Sequence, residues 1–154
     1  VAKYRKKQQQ PKEKPKTPVS KKETPPVETM EKPPTMEQKR AKHAWKKAQE
    51  GVEKYDKGYV NDAKGLPALI MNSGLMQVMA FLESKEDRHR LLGAHLRDWL
   101  HTSYKTPKEF KGFMEEMLEV DSRLFQAINS EAFAWLRWLR QFAAALPLKK
   151  KQEG

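Results

Sequence analysis

Gly65-Leu66-Pro67-Ala68-Leu69-Ile70-Met71-Asn72-Ser73-Gly74-Leu75-Met76-Gln77-Val78-Met79-Ala80-Phe81-Leu82 is the longest apolar run in a chain otherwise dense in charge. Leu66, Leu69 and Ile70 recur at i, i+3, i+4, the spacing of one helical face, with Ser73 at i+7. Leu75, Val78, Met79 and Leu82 repeat the pattern at i, i+3, i+4, i+7, but out of phase with the first set. At about 100° per residue the apolar stripe rotates by well over a quarter turn across Asn72-Ser73-Gly74. Glycine tolerates the left-handed conformation that ends a helix, and Asn tolerates it nearly as well. The run therefore predicts two helices with a break between them, each facing a different part of a core. Pro67 suits the first turn of the first helix, where a missing N–H costs nothing.

Toward the N-terminus, Thr35-Met36-Glu37-Gln38 reads as a capping box, with Thr35 as N-cap and Gln38 reaching back. Ala41, Ala44, Trp45, Ala48, Val52 and Tyr55 then share a stripe, which predicts an amphipathic helix to about Asp56 with Gly51 as a weak point. The opposite side is basic: Lys39, Arg40, Lys42, Lys46, Lys47 and Lys54, with only Glu50 and Glu53 nearby. That pattern fits either a solvated face or a polyanion partner. Lys57-Gly58-Tyr59 reads as a loosening before the apolar run.

Toward the C-terminus, a polar connection at Glu83-Ser84-Lys85-Glu86-Asp87 leads to a helix over Glu86–Thr102, with Leu92, His95, Leu96 and Trp99 on one face. Thr106-Pro107-Lys108-Glu109 signals a new start, with Thr as N-cap and Pro at the first helical position. Phe110, Phe113, Met114, Met117 and Leu118 follow at core spacing. Asp121–Ile128 reads as a short helix, and Asn129 or Ser130 as the cap of a last one. In that last helix Ala132, Trp135, Leu136, Leu139, Phe142, Ala143 and Leu146 share a face, and Phe133, Ala134, Trp138, Ala144 and Ala145 widen it. A helix apolar over most of its circumference belongs inside a bundle or against another subunit. Arg137 and Arg140 break the remaining side, Pro147 stops the helix, and Lys149-Lys150-Lys151 begins a basic tail. Period-two alternation is missing, so the expected fold is all-α, a compact bundle of five or six helices.

Charge divides the chain. Of 154 residues carrying a net +11, Val1–Thr35 holds ten Lys/Arg against four Glu, a net +6, leaving +5 for the rest. Seven of the ten prolines also precede Met36. Such a segment buries too little apolar surface to offset its ordering entropy, so residues 1–35 are expected to be a disordered basic, Pro-rich extension. Residues 36–146 form the helical domain and 147–154 a basic C-terminal tail. Cysteine is absent, which excludes disulfides and thiolate metal sites and suits a cytoplasmic protein. The apolar runs fall short of the ~18 residues of a membrane span, and the basic, Pro-rich start does not read as a signal peptide.

The chain offers little chemistry. His43, His89, His95 and His101 make no i, i+4 pair and join no carboxylate cluster, so a metal is not expected. Glycines are scattered rather than gathered in a phosphate loop, and no cofactor is implied. Arg88-His89-Arg90-Leu91-Leu92-Gly93-Ala94-His95 resembles the Arg/His motif of HEPN ribonucleases, in which His serves as general acid or base. His95, however, falls among Leu92, Leu96 and Trp99, which suits a buried histidine better than a catalytic one. A generic helical DNA-binding module would need Arg, Asn or Gln opening a recognition helix, and Glu131-Ala132-Phe133-Ala134 does not supply them.

Three stretches, in order, resemble one family. Met36-Glu37-Gln38-Lys39-Arg40-Ala41-Lys42 resembles its opening. Leu66 to Leu75 with Gln77 and Ala80-Phe81-Leu82 resembles its central signature. Phe133-Ala134-Trp135-Leu136-Arg137-Trp138-Leu139-Arg140-Gln141-Phe142-Ala143 resembles its close. The family is the small subunit of the type III-B (Cmr) CRISPR effector complex, and the resemblance spans roughly Met36 to Leu146. It implies a non-catalytic subunit of an antiviral ribonucleoprotein. Its implied partners are guide (crRNA) and target RNA, the Cmr backbone and large subunits, and further copies of itself stacked along the guide–target duplex. Base pairing would read sequence while the protein supplies phosphate contacts. The residues expected at RNA are Lys39, Arg40, Lys42, Lys46, Lys47, Arg137 and Arg140.

Overall fold

A computed structural model describes residues 32–149, and the expected disorder of the N-terminal extension lies almost wholly outside them. The described helices are six: α1 (Met36–Tyr55), α2 (Lys57–Ser73), α3 (Leu75–Ser84), α4 (Asp87–Tyr104), α5 (Phe110–Glu119) and α6 (Ser122–Ala145). α6 packs on α1 most extensively and also on α2 and α4, while α3 and α5 close the other side against α4. The domain is all-α, as the hydrophobic periodicity requires.

α1 begins at the expected box. Thr35 Oγ1 accepts from the Gln38 N–H at 3.1 Å, and Gln38 Oε1 accepts from the Thr35 N–H at 2.8 Å. α2 and α3 are separated at Gly74, whose φ of 84° is open to glycine and strained for other residues. The change of face follows. Leu66 and Ile70 are buried from α2, and Leu75, Val78, Met79 and Leu82 from α3, whereas Leu69 and Met71 are exposed.

Three boundaries differ from the sequence reading. α2 starts at Lys57, so Lys57-Gly58-Tyr59 is helical and Pro67 lies inside the helix rather than in its first turn. Pro67 leaves the Ala63 carbonyl without its helical donor, and tertiary packing outweighs that penalty of about 3 kcal/mol. Tyr59 is fully buried with its ring against Gly51, where a Cβ would stand 2.3 Å from the ring. Gly51 is thus the gap that lets α1 and α2 meet, not a weak point. Second, α5 begins at Phe110 with Glu109 at its N-cap position. Thr106 caps nothing; it is buried, and its Oγ1 has no hydrogen-bond partner. Third, Asp121 caps one continuous α6, its Oδ1 accepting from the Leu124 N–H at 2.8 Å. Asn129 and Ser130 lie mid-helix because Ile128, Ala132, Trp135 and Leu139 form an unbroken buried stripe through them.

Candidate nucleic-acid interface

The seam between α1 and α6 is lined by small residues on its inner side, Ala44 and Ala48 from α1 and Ala132 and Ala143 from α6, all fully buried. Side-chain contacts link the two helices. Arg40 meets Glu131, His43 meets Trp135, and Trp45 meets Phe142. With its buried stripe turned inward, α1 presents Lys39, Lys42 and Lys46 to solvent, three and four residues apart on one ridge. α6 presents Arg137 and Arg140 likewise, and they line an open groove with Pro67, Phe133 and Gln141. Among the described residues none of these five cations enters an ion pair. Glu115, Glu116 and Glu119, the acids that could have paired with Arg137 and Arg140, stand on α5, which packs on α3 and α4.

Arg40 and Lys47 are placed differently. Glu131, 7 % exposed, accepts from Arg40 Nε at 2.5 Å and from Nη2 at 3.0 Å, while Arg40 Nη1 donates to Glu37 at 2.7 Å. The bond to Glu131 is the largest cause holding the Arg40 pKa above its ordinary value. Trp99 Nε1 donates to the same Glu131 carboxylate at 3.3 Å. Arg40 is therefore a clamp joining α1, α4 and α6 through Glu131. Lys47 sits between Glu50 at 3.5 Å and Asp98 at 3.8 Å. Both cations are already partnered by carboxylates, unlike the exposed five.

The family model described as CRISPR-associated protein (Cas_Cmr5) matches residues 36–146. The chain belongs to the Cmr5 family. A curated relative from Thermus thermophilus, the CRISPR system Cmr subunit Cmr5, is 30 % identical over 108 residues. That match spans 69 % of this chain and 90 % of the relative. The crystal structure of a CRISPR-associated Cmr5 family protein, also from Thermus thermophilus, superposes with a TM-score of 0.64 at 27 % identity. It covers 75 % of this chain and 100 % of that one.

Against that Cmr5 framework, the histidine that sequence placed in a ribonuclease-like motif is inward. His95 is 3 % exposed and both ring nitrogens are occupied. Tyr59 O–H donates to Nδ1 at 2.7 Å, and Nε2 donates to Glu50 at 3.1 Å. Burial, aided by the nearby Lys47 charge, pushes the His95 pKa down to about 4 despite Glu50. Burial raises the Tyr59 phenol, so it stays a donor. Arg88 is held by Asp62 at 2.6 Å. His95 is thus committed to the core, and Arg88 is tied to Asp62 at the edge of the bundle. His43, in turn, accepts from Trp135 Nε1 at Nδ1, 2.9 Å away, and donates from Nε2 to Asp98 at 2.6 Å. That pattern fixes the neutral imidazole, and burial lowers its pKa against the opposing pull of Asp98. Among the described residues no His/Cys/Asp/Glu group is arranged to hold a metal ion, and no helix is long and apolar enough to cross a membrane.

Sequence reasoning missed the clamp and the aromatic rim of the seam. Trp45, placed on the buried stripe by periodicity, is 41 % exposed. Its ring meets Phe142 edge-on at 5.2 Å, and Phe142 stacks on Trp138 at 5.4 Å. Trp138 Nε1 donates to Glu37 at 2.6 Å. Only the i, i+3 pairs Glu37–Arg40 and Lys47–Glu50 are visible as spacings, and they hint that these two cations are partnered.

Proposed function

We propose that this Cmr subunit is non-catalytic and binds RNA backbone without sequence preference, in several copies stacked along the guide–target duplex of an antiviral effector in the cytoplasm. One observation supports the reading above the others. Lys39, Lys42, Lys46, Arg137 and Arg140 are exposed and, among the described residues, free of carboxylate partners, on two helices packed side by side. Surface cations that stabilise a fold are usually paired, and even then contribute little. Unpaired cations on two neighbouring helices suit phosphates, with the guanidinium groups forking onto oxygen and the ammonium groups acting as point charges. Arg40 and Lys47 are left out of the RNA set because carboxylates hold them in place.

The guide and target strands would meet this face, and the Cmr backbone and large subunits would meet other surfaces. Cleavage of the target would fall to another subunit. Titrating the full chain with single-stranded RNAs of equal length and different sequence, at several salt concentrations, tests the reading. Log affinity should fall with log salt at roughly −0.7 per phosphate neutralised, with little difference between sequences. A strong preference for one sequence at matched salt would overturn it.

A further inference from the structure

The rim of the α1–α6 seam carries three large aromatic rings, one of them exposed. The inner seam is closed by alanines and by Leu136 and Leu139, all fully buried. At its rim lie Trp45, Phe142 and Trp138, the last two half-buried against the core, in an edge-on contact at 5.2 Å followed by a stack at 5.4 Å. Trp45 remains 41 % exposed, and Trp138 is held in orientation by its bond to Glu37. Exposed lysines of α1 stand beside the rim. Lys42 lies one turn before Trp45 and Lys46 follows it directly, whereas Arg137 and Arg140 lie on the side of α6 that faces Pro67 of α2. Two exposed amides, Gln49 and Gln141, stand one turn further along the same helix surfaces. Glu37, a carboxylate at the rim, is bonded to Arg40 and Trp138.

We infer that the Trp45–Phe142–Trp138 rim is a stacking platform for unpaired bases of single-stranded RNA, with Lys42 and Lys46 beside it tracking the backbone. This rests on the RNA-binding reading above and adds to it a preference for single strands. Base–aromatic stacking is tolerant of sequence because every base has a π-face, so it is compatible with a subunit that reads no sequence. Rings already fixed by neighbours lose little freedom when a base lands on them. A duplex keeps its bases stacked inside and can offer this rim only phosphates.

The test uses the full chain, an oligouridine, an abasic ribose-phosphate oligomer of equal length and a duplex of equal phosphate count, all at one salt concentration. Affinity is read by anisotropy and stacking by quenching of tryptophan fluorescence. The oligouridine should quench the fluorescence and bind more tightly than either other probe, by about tenfold over the abasic oligomer. Trp45→Ala should remove that advantage without changing the salt slope, and Trp45→Phe should keep most of it. Equal affinity of the wild-type protein for the oligouridine and the abasic oligomer would refute stacking while leaving phosphate binding intact. Failure of the wild type to bind any probe would remove the RNA reading and this inference together. If Trp45→Ala instead dissolves self-association in sedimentation with RNA affinity untouched, the rim is a protein interface and the inference is wrong.

Discussion

Arg40→Ala separates a clamp from an RNA contact. In the folded protein the guanidinium places two donors on Glu131, a carboxylate only 7 % exposed. Without it Glu131 keeps one acceptor bond, the 3.3 Å contact from Trp99. Removing one partner of a buried ion pair typically costs about 3–5 kcal/mol, because the other charge is left uncompensated. The Arg40 side chain is 20 % exposed, so water reaches one end of this pair and the lower figure applies. About 3 kcal/mol in a domain of this size lowers the melting temperature by roughly 12 °C. The companion variant Arg40→Met with Glu131→Gln removes both charges yet leaves Trp99 an acceptor, and should recover most of the loss. Urea unfolding by circular dichroism gives the stability, and RNA titration of the same samples gives the affinity. Arg40→Ala should melt much earlier while its folded fraction binds RNA about as tightly as wild type. Unchanged stability with RNA affinity reduced tenfold or more would refute the clamp and return Arg40 to the RNA site.

Other outcomes follow from the same packing. His43 and His95 are held neutral with pKa values below 6.5, about 4 for His95, while the unfolded chain takes up these protons near 6.5. The unfolded state then binds more protons between those values, so stability should fall as pH drops from about 6.5 toward 4; urea midpoints that stay flat over that range would contradict the assignment. Gly74→Ala should destabilise by about 1–2 kcal/mol, since alanine at a φ of 84° is strained, and an unchanged urea midpoint would show that the α2–α3 junction relaxes. His95→Ala should leave target-RNA cleavage by the reconstituted complex intact while lowering stability by about 1–3 kcal/mol, because the buried Tyr59 hydroxyl loses its acceptor. Loss of cleavage in a variant that still assembles would revive the ribonuclease reading.

Much of the architecture could be read from local chemistry. The Thr35–Gln38 box, the face change at Gly74 and the apolar stripe of α4 are encoded within a few residues, so periodicity and cap rules found them. Longer-range packing decided the rest. Pro67 looks like a helix start, yet Tyr59 buried against Gly51 holds the preceding turns helical. Asn129 and Ser130 look like caps, yet the buried stripe through Ile128 and Ala132 carries α6 past them. The same limit applies to the interface. Composition found the cations but could not sort them, because Glu131 lies ninety-one residues from Arg40. Lys39, Lys42 and Lys46 differ from Arg40 and Lys47 only in what the fold brings beside them.

The central claim is that the α1–α6 face carries the RNA. Its most direct measurement is RNA affinity of the full chain with Lys42→Glu, Lys46→Glu and Arg140→Glu combined, at the wild type's salt concentration, with helicity and melting recorded on the same sample. All three side chains are exposed and unpaired among the described residues, so the fold should be nearly indifferent to their reversal. Binding should be abolished while the melting temperature stays within a few degrees of wild type. Binding as tight as wild type, or a variant that melts much earlier, would contradict the claim.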